Sequence, residues 1–160
     1  MIVTQNVDDL HERAGSDVVS HLHGSLFAPR CSVCGTPYDG PGAFPDPGDT
    51  GTAPDDPRVD PPTCPRCGGR VRPGIVWFGE ALPESDWQRA DQAFRAAEVV
   101  LVVGTSGIVY PAAALPERAV RAGIPVIEFN PSPSALSDIV THSLRMPAAV
   151  GLPALLASLG

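Results

Sequence analysis

Glu98-Val-Val-Leu-Val-Val-Gly104, running straight into Thr105-Ser106-Gly107, is the stretch on which the reading of the fold turns. Five consecutive Val and Leu residues with no polar interruption read as a strand buried on both faces of a parallel sheet, because a half-exposed strand alternates. Gly104 and Gly107 punctuate its end. A helix follows, with Pro111 near its start and Gly123 just past its end, and Pro116 inside the segment must delay or kink it. Pro125-Val-Ile-Glu-Phe129 is the next strand. Strand, glycine turn, helix and strand in that order imply a right-handed crossover. The expected fold class is therefore α/β with a Rossmann-like parallel sheet.

Working outward, Ser85 and Gln88 form a capping-box signature opening a helix whose Trp87, Ala90, Phe94 and Ala97 share one face. Ile75 to Phe78 is apolar and β-prone. Leu152, Leu155, Leu156 and Leu159 mark an amphipathic C-terminal helix opened by Pro153. Toward the start, a short strand ends at Thr4-Gln5, a helical turn from Asp8 to Ala14 stops at Gly15, and a second strand runs from Val18 to His23. Between these halves, Tyr38 to Pro62 holds seven Pro, four Gly and six Asp in 25 positions, a composition that reads as a disordered, solvated loop. The expected organisation is an incomplete sheet domain over residues 1–29 and 73–160, with a small module inserted at 30–72. No internal repeat is present.

The chain has 160 residues with 43% hydrophobic and 18% charged content, the profile of a globular domain. It contains no Lys, and 11 Arg against 18 acidic residues leave a net charge of −7, which argues against holding nucleic acid through its phosphates. An aromatic content of 6% leaves few platforms for stacked bases. Arg66, Arg70 and Arg72 read as solvated residues rather than a functional basic patch. No apolar run is long enough for a membrane span, and the start lacks the layout of a signal peptide, so a cytoplasmic location is expected.

Cys31-Ser-Val-Cys34 and Cys64-Pro-Arg-Cys67 are two pairs with two-residue spacing, the knuckle pattern that turns both sulfurs of a pair toward one Zn²⁺. Four thiolates close a tetrahedral shell, so one structural zinc in a zinc-ribbon module is expected. The Pro/Asp-rich loop accounts for the long gap between pairs at small entropic cost. Gly104-Thr105-Ser106-Gly107 can face a phosphate or ribose, or be an ordinary crossover turn. Asn130 lies at the carboxyl edge of its strand, where open α/β sheets bind ligands, or is a turn residue before Pro131. His21 and His23 share a strand face with Leu22 opposite, and Gly24 leaves room beside the second ring. A histidine there serves as a general base or as a structural residue. Gln5, Asn6 and Asp8 read equally as turn and cap residues.

Taken together, Thr4-Gln5-Asn6-Val7-Asp8-Asp9-Leu10-His11, Leu22-His23-Gly24-Ser25, the two cysteine pairs, Val76-Trp77-Phe78-Gly79-Glu80, Gly104-Thr105-Ser106 and Asn130 resemble the sirtuins, the NAD-dependent protein-lysine deacylases. The resemblance runs through essentially the whole chain and covers the later part of the family's domain. It implies that His23 is the general base and that Gln5, Asn6, Val7 and Asp8 line the nicotinamide and ribose pocket. By the same likeness Gly104, Thr105 and Ser106 lie under the adenosine and phosphates. Asn130, Pro131 and Ser132 contact the ribose, and Ala148 is a late adenine contact. Val76, Trp77, Phe78, Gly79 and Glu80 match the strand that pairs with the substrate peptide, with Trp77 and Phe78 walling the acyl-lysine tunnel.

The implied reaction consumes NAD. The amide oxygen of an acylated lysine attacks the nicotinamide ribose and expels nicotinamide, and His23 then deprotonates the hydroxyl that captures the acyl carbon, leaving free lysine and O-acyl-ADP-ribose. The implied partner is an acylated-lysine protein or peptide. Nothing in the chain matches the family's glycine-rich GAGxS loop, so the 160 residues alone are expected to be inactive. The alternative is a non-catalytic zinc-ribbon and ADP-ribose-binding module.

Overall fold

The structure is a computed structural model that describes residues 1–42 and 60–160, which divide into two units, Met1–Asp86 and Trp87–Gly160. The expected disordered loop 38–62 falls mostly, at 43–59, outside the described residues.

In the first unit Ile2–Thr4 (β1) and Val19–His21 (β2) run parallel, with Ile2 opposite Val19 and Thr4 opposite His21. Parallel neighbours need a crossover, and Leu10–Arg13 (α1) supplies it as a single turn. The Asp8 carboxylate accepts the Leu10 N–H at 3.1 Å near its start, and Gly15 follows at φ +90°. The strand expected over Val18 to His23 stops at His21; Leu22 and His23 form the turn into Gly24–Cys31 (β3), which pairs antiparallel with Val71–Ile75 (β4). Gly24 sits at φ +71°, and a Cβ there would lie 2.1 Å from the Gly74 carbonyl oxygen. A backbone contact therefore demands this glycine, not room for the His23 ring. Gly24→Ala is expected to destabilise the unit by about 3 kcal/mol, read as a fall in the urea midpoint. An unchanged midpoint would show that β3 and β4 separate there without cost.

β4 also ends before the expected Ile75 to Phe78 strand is complete. The Val76 N–H donates to the His23 carbonyl at 2.9 Å, and the Glu80 N–H donates to the Trp77 carbonyl at 2.9 Å, with Gly79 at φ +90°. Residues 77–80 are thus a turn, because the ladder closes at the Val76–His23 bond and the Glu80–Trp77 bond then folds the backbone on itself.

In the second unit Val100–Val103 (β5), Val126–Phe129 (β6) and His142–Leu144 (β7) form a parallel sheet in that order. Val100 faces Val126, and Phe129 faces both Val103 and Leu144. Glu84–Ala96 (α2) precedes β5 and carries Ala90 as its buried residue. Its first residue is Glu84, ahead of Ser85, so the expected Ser85–Gln88 box does not open it. Ala114–Arg121 (α3) links β5 to β6 and starts late, which places Pro116 in its first turn, where a missing N–H costs no intrahelical bond. Ala148–Ser158 (α4) opens after Pro147, so Pro153 is inside the helix and not its first residue.

Val100, Val102, Ala119, Val126 and Leu136 form the core of this unit, with Phe94, Ala97, Val120, Ile124 and Val140 packed around them. Each fully buried Val or Leu contributes about 1.5–3 kcal/mol. β5 departs from its reading as a strand buried on both faces: Leu101 and Val103 remain 43% and 40% exposed. It is an edge strand whose other face no helix of the unit covers, and an apolar run cannot report how much of its surroundings arrives. α4 rests on Phe129 through Gly151, where a Cβ would come within 2.4 Å of the ring. Leu156 and Leu159 are 69% and 76% exposed, so the expected amphipathic face of α4 is not buried as a stripe. Among the described residues no helix is long and apolar enough to cross a membrane.

Candidate functional site

His23 leaves the turn after β2 half-buried, with Nδ1 3.2 Å from the Gln5 carbonyl oxygen. A carbonyl only accepts, so Nδ1 carries the proton in this bond and the lone pair falls on Nε2, the atom then free to act as a base. The His23 carbonyl in turn receives the Val76 N–H. The first unit therefore ties the Gln5 segment to the His23 ring and the Val76–Glu80 turn to the His23 backbone. Val7 is held by the Leu26 N–H, which donates to its carbonyl at 2.8 Å, and the Asn6 N–H donates to the Thr4 hydroxyl at 3.0 Å.

His21 lies between two acceptors, Glu12 Oε1 at 2.7 Å from Nε2 and the Asn6 carbonyl at 3.2 Å from Nδ1. Both ring nitrogens must be protonated to serve both. Burial works against that charge, but the Glu12 hydrogen bond, the Asn6 carbonyl and the negative charges of Glu12 and Asp86 outweigh it, so the pKa lies above 6.5. A raised folded-state value means that the stabilisation is complete below pH 6.5 and is lost as pH rises through the folded-state pKa. Melting midpoints of the wild type and His21→Gln are therefore expected to converge on alkalinisation. Parallel curves from about pH 5 to 9 would remove the ion pair from the stability of this unit.

Trp77 to Glu80 form a turn clamped by one carboxylate. Glu80 accepts the Trp77 N–H at 3.1 Å, pairs with Arg72, and lies 3.4 Å from Arg30, while the Arg72 guanidinium stacks 4.2 Å from the centre of the Trp77 ring. The Arg72 and Trp77 hydrogen bonds hold the Glu80 carboxyl below its ordinary pKa. Trp77 is about half exposed and Phe78 fully so, and both rings present apolar surface.

The sulfurs of Cys31, Cys34, Cys64 and Cys67 all lie within 4.8 Å of one another. The measured pairs are 3.5 Å for Cys31–Cys67 and 3.8 Å for Cys34–Cys64. A tetrahedral zinc at the usual bond length separates its sulfurs by about 3.8 Å, so the cluster fits a four-cysteine zinc site. Each knuckle is followed by a left-handed glycine, Gly35 at φ +69° and Gly68 at φ +73°, whose N–H groups donate to the Cys31 and Cys64 carbonyls. That matched Cys-x-x-Cys-Gly pattern was readable in the sequence. The Thr36 hydroxyl is the main influence pulling Cys34 down to about 6.

In the second unit the Gly104–Gly107 turn and the end of β6 meet. The Asn130 side-chain amide donates to the Thr105 carbonyl at 2.8 Å, the Gly104 N–H donates to the Phe129 carbonyl at 3.0 Å, and the Ser132 N–H lies 3.4 Å from Asn130 Oδ1. Pro131 lies between them in the chain, and Ala148 opens α4. The turn does not lead into a helix N-terminus, since α3 begins only at Ala114.

Glu128 belongs to no motif of the sequence. It is fully buried on β6, where the Ser134 hydroxyl donates to Oε1, and the Ser137 and Ser143 hydroxyls donate to Oε2 at 2.7 Å and 2.5 Å. Arg145 lies 3.6 Å from the same carboxylate. Burial raises its pKa, but the three hydroxyls and then Arg145 outweigh it and hold the carboxyl below its ordinary value. The signal was available: an acid inside Val126-Ile-Glu-Phe129 must find partners, and serines at 134, 137 and 143 are close in sequence.

The Sir2 family model matches residues 1–111. The chain is 53% identical over 161 residues to NAD-dependent protein deacylase 2 of Corynebacterium efficiens, an alignment covering 99% of this chain and 60% of that relative. Its structure superposes with a TM-score of 0.83 on a Sir2 homologue in complex with NAD, at 41% identity, covering 98% of this chain and 57% of the other. A Sir2 structure with p53 peptide and NAD⁺ matches at a TM-score of 0.80 and 33% identity, over 99% of this chain and 62% of the other. The chain belongs to the Sir2 family. It spans about 60% of the length of the curated relative named above.

Proposed function

We propose that this chain carries the acyl-transfer machinery of an NAD-dependent protein-lysine deacylase. The observation that carries the reading is His23: its Nδ1 is committed to the Gln5 carbonyl, which leaves Nε2 as a base, and its own carbonyl holds the segment of Trp77 and Phe78. NAD, when bound, supplies the ribose carbon from which nicotinamide leaves and the hydroxyl that accepts the acyl group. The residues of this chain have simpler duties. Gln5, Asn6, Val7 and Asp8 face the nicotinamide side, and His23 removes the hydroxyl proton. Gly104, Thr105, Ser106, Asn130, Pro131, Ser132 and Ala148 hold the adenosine side. Val76 to Glu80 present Trp77 and Phe78 to an acylated-lysine peptide. Fixed geometry does most of the work, because the base need only be in place when the acyl carbon arrives. Cys31, Cys34, Cys64 and Cys67 hold one zinc that shapes the described residues around them and takes no part in the chemistry. Four reduced thiols fit a cytoplasmic setting.

One observation favours a second reading, a binding module without turnover. The glycine turn at 104–107 presents no helix N-terminus, the usual donor set for a diphosphate. The test is nicotinamide release from NAD and O-acyl-ADP-ribose formation by the purified, zinc-loaded chain with an acetyl-lysine peptide, beside His23→Ala. Peptide-dependent nicotinamide release, followed by O-acyl-ADP-ribose formation that His23→Ala abolishes, establishes deacylation in these residues. A folded, zinc-loaded chain that binds ADP-ribose and peptide but releases no nicotinamide establishes the binding module.

A further inference from the structure

We infer that Glu128 is a positioning residue for the nucleotide, its buried carboxylate locking the Asn130–Ser137 loop against the Gly104–Gly107 turn. The inference rests on the reading of that turn and Asn130 as the adenosine-side site.

An acid of no exposure in a strand interior is costly unless every lone pair is used, and here three hydroxyls and a guanidinium use them. The three donors are not scattered. Ser134 and Ser137 lie in the loop leaving β6, and Ser143 lies in β7. Because Ser134 and Ser137 give their protons to Glu128, their oxygens are left to accept backbone N–H groups: Leu136 donates to Ser134 Oγ at 3.0 Å, and Ser134 donates to Ser137 Oγ at 2.8 Å. One carboxylate thereby orients both hydroxyls and closes the loop on itself.

The same loop then reaches the glycine turn at three places. The Ala135 N–H donates to the Ser106 carbonyl at 3.0 Å, and the Asn130 amide donates to the Thr105 carbonyl. Leu136 fills the space at Gly107, where a Cβ would lie 2.7 Å from its Cγ. Arg145, drawn toward Glu128, donates to the Ser132 carbonyl at 3.0 Å. Thr105, Ser106, Asn130 and Ser132 thus owe their relative placement to a residue that touches no ligand.

Glutamine at this position keeps the volume and removes the charge. Its NH₂ offers donors where the serines need an acceptor, so at least one hydroxyl must turn its oxygen to the amide and its proton away from the strand, which breaks the shared carboxylate anchor of the loop. The loop loosens while the apolar core stays intact, because Arg145 is 40% exposed and can return to water.

The experiment is calorimetric ADP-ribose binding to the wild-type chain, Glu128→Gln and Ser137→Ala, with zinc content and acetyl-lysine peptide binding followed in parallel. The expected result is an ADP-ribose Kd about tenfold higher in Glu128→Gln and about threefold higher in Ser137→Ala, with peptide binding and zinc unchanged. If Glu128→Gln does not fold, Ser137→Ala decides by the same split. ADP-ribose binding within twofold of wild type in the folded Glu128→Gln overturns the inference and leaves the nucleotide reading standing. Equal loss of ADP-ribose and peptide binding overturns it in favour of general stability. A wild-type chain that binds no ADP-ribose overturns both.

Discussion

Stripping the metal from the purified protein with a chelator is expected to unfold the region around the four cysteines while leaving the second unit intact. Among the described residues, Cys31, Cys64 and Val71, with Tyr38 against them, make up the buried apolar cluster of this region. Burying one valine contributes about 1.5–3 kcal/mol, which cannot offset the entropy of ordering even ten residues. A structural zinc held by four thiolates contributes about 10–16 kcal/mol at neutral pH, enough to close that gap. The bonds that should open are local and identifiable: the N–H of Cys31 to Thr36, of Cys64 to Gly69 and of Val71 to Pro62. The second unit has its own core on Val100, Val102, Ala119, Val126 and Leu136, so its amides should keep their protection. Hydrogen exchange before and after verified metal removal reads both halves. Cys64→Ser should reproduce the effect, because a serine hydroxyl does not take the place of a zinc-bound thiolate. Full protection at Cys31, Cys64 and Val71 in metal-free protein would show that the fold holds this region without zinc.

His23→Ala is expected to lower acyl transfer to the ribose by about 10²–10⁴-fold, the usual contribution of a positioned general base, with peptide affinity nearly unchanged. The ring makes one modest hydrogen bond, to the Gln5 carbonyl at 3.2 Å, and is only half-buried, so its removal should cost little stability. The Val76 segment stays in place because it hangs on the His23 backbone and not on the ring. The measurement is single-turnover formation of O-acyl-ADP-ribose at saturating peptide. A tenfold or larger loss of peptide affinity alongside the rate would instead make His23 a support of the peptide-binding turn.

Much of the chemistry was legible before any fold was known, because it resides in residue types at fixed short spacing. Two Cys-x-x-Cys pairs in one chain read as a zinc site ahead of buried or redox thiols, and the structure brings their sulfurs within 4.8 Å. The strands around Val100–Val103 and Val126–Phe129 were equally plain, since β-branched runs have few alternatives. Element ends were less so. The strand expected over Ile75 to Phe78 stops early because Glu80 folds back to Trp77, a bond that no apolar pattern announces. Pro153 reads as a helix start and lies inside α4, which opens directly after the extended Pro147.

By itself, then, the sequence determined the α/β class, the four-cysteine cluster that fits a zinc and the family, all carried by local pattern and short-range stereochemistry. Only the tertiary structure decided that Gly24 answers to the Gly74 carbonyl, that His21 lies between Glu12 and the Asn6 carbonyl, and that Glu128 gathers three serines. The physical reason is common to all three. Each depends on which groups arrive from distant parts of the chain to fill a residue's hydrogen bonds or its empty space, and burial makes those arrivals compulsory without saying in advance which they will be.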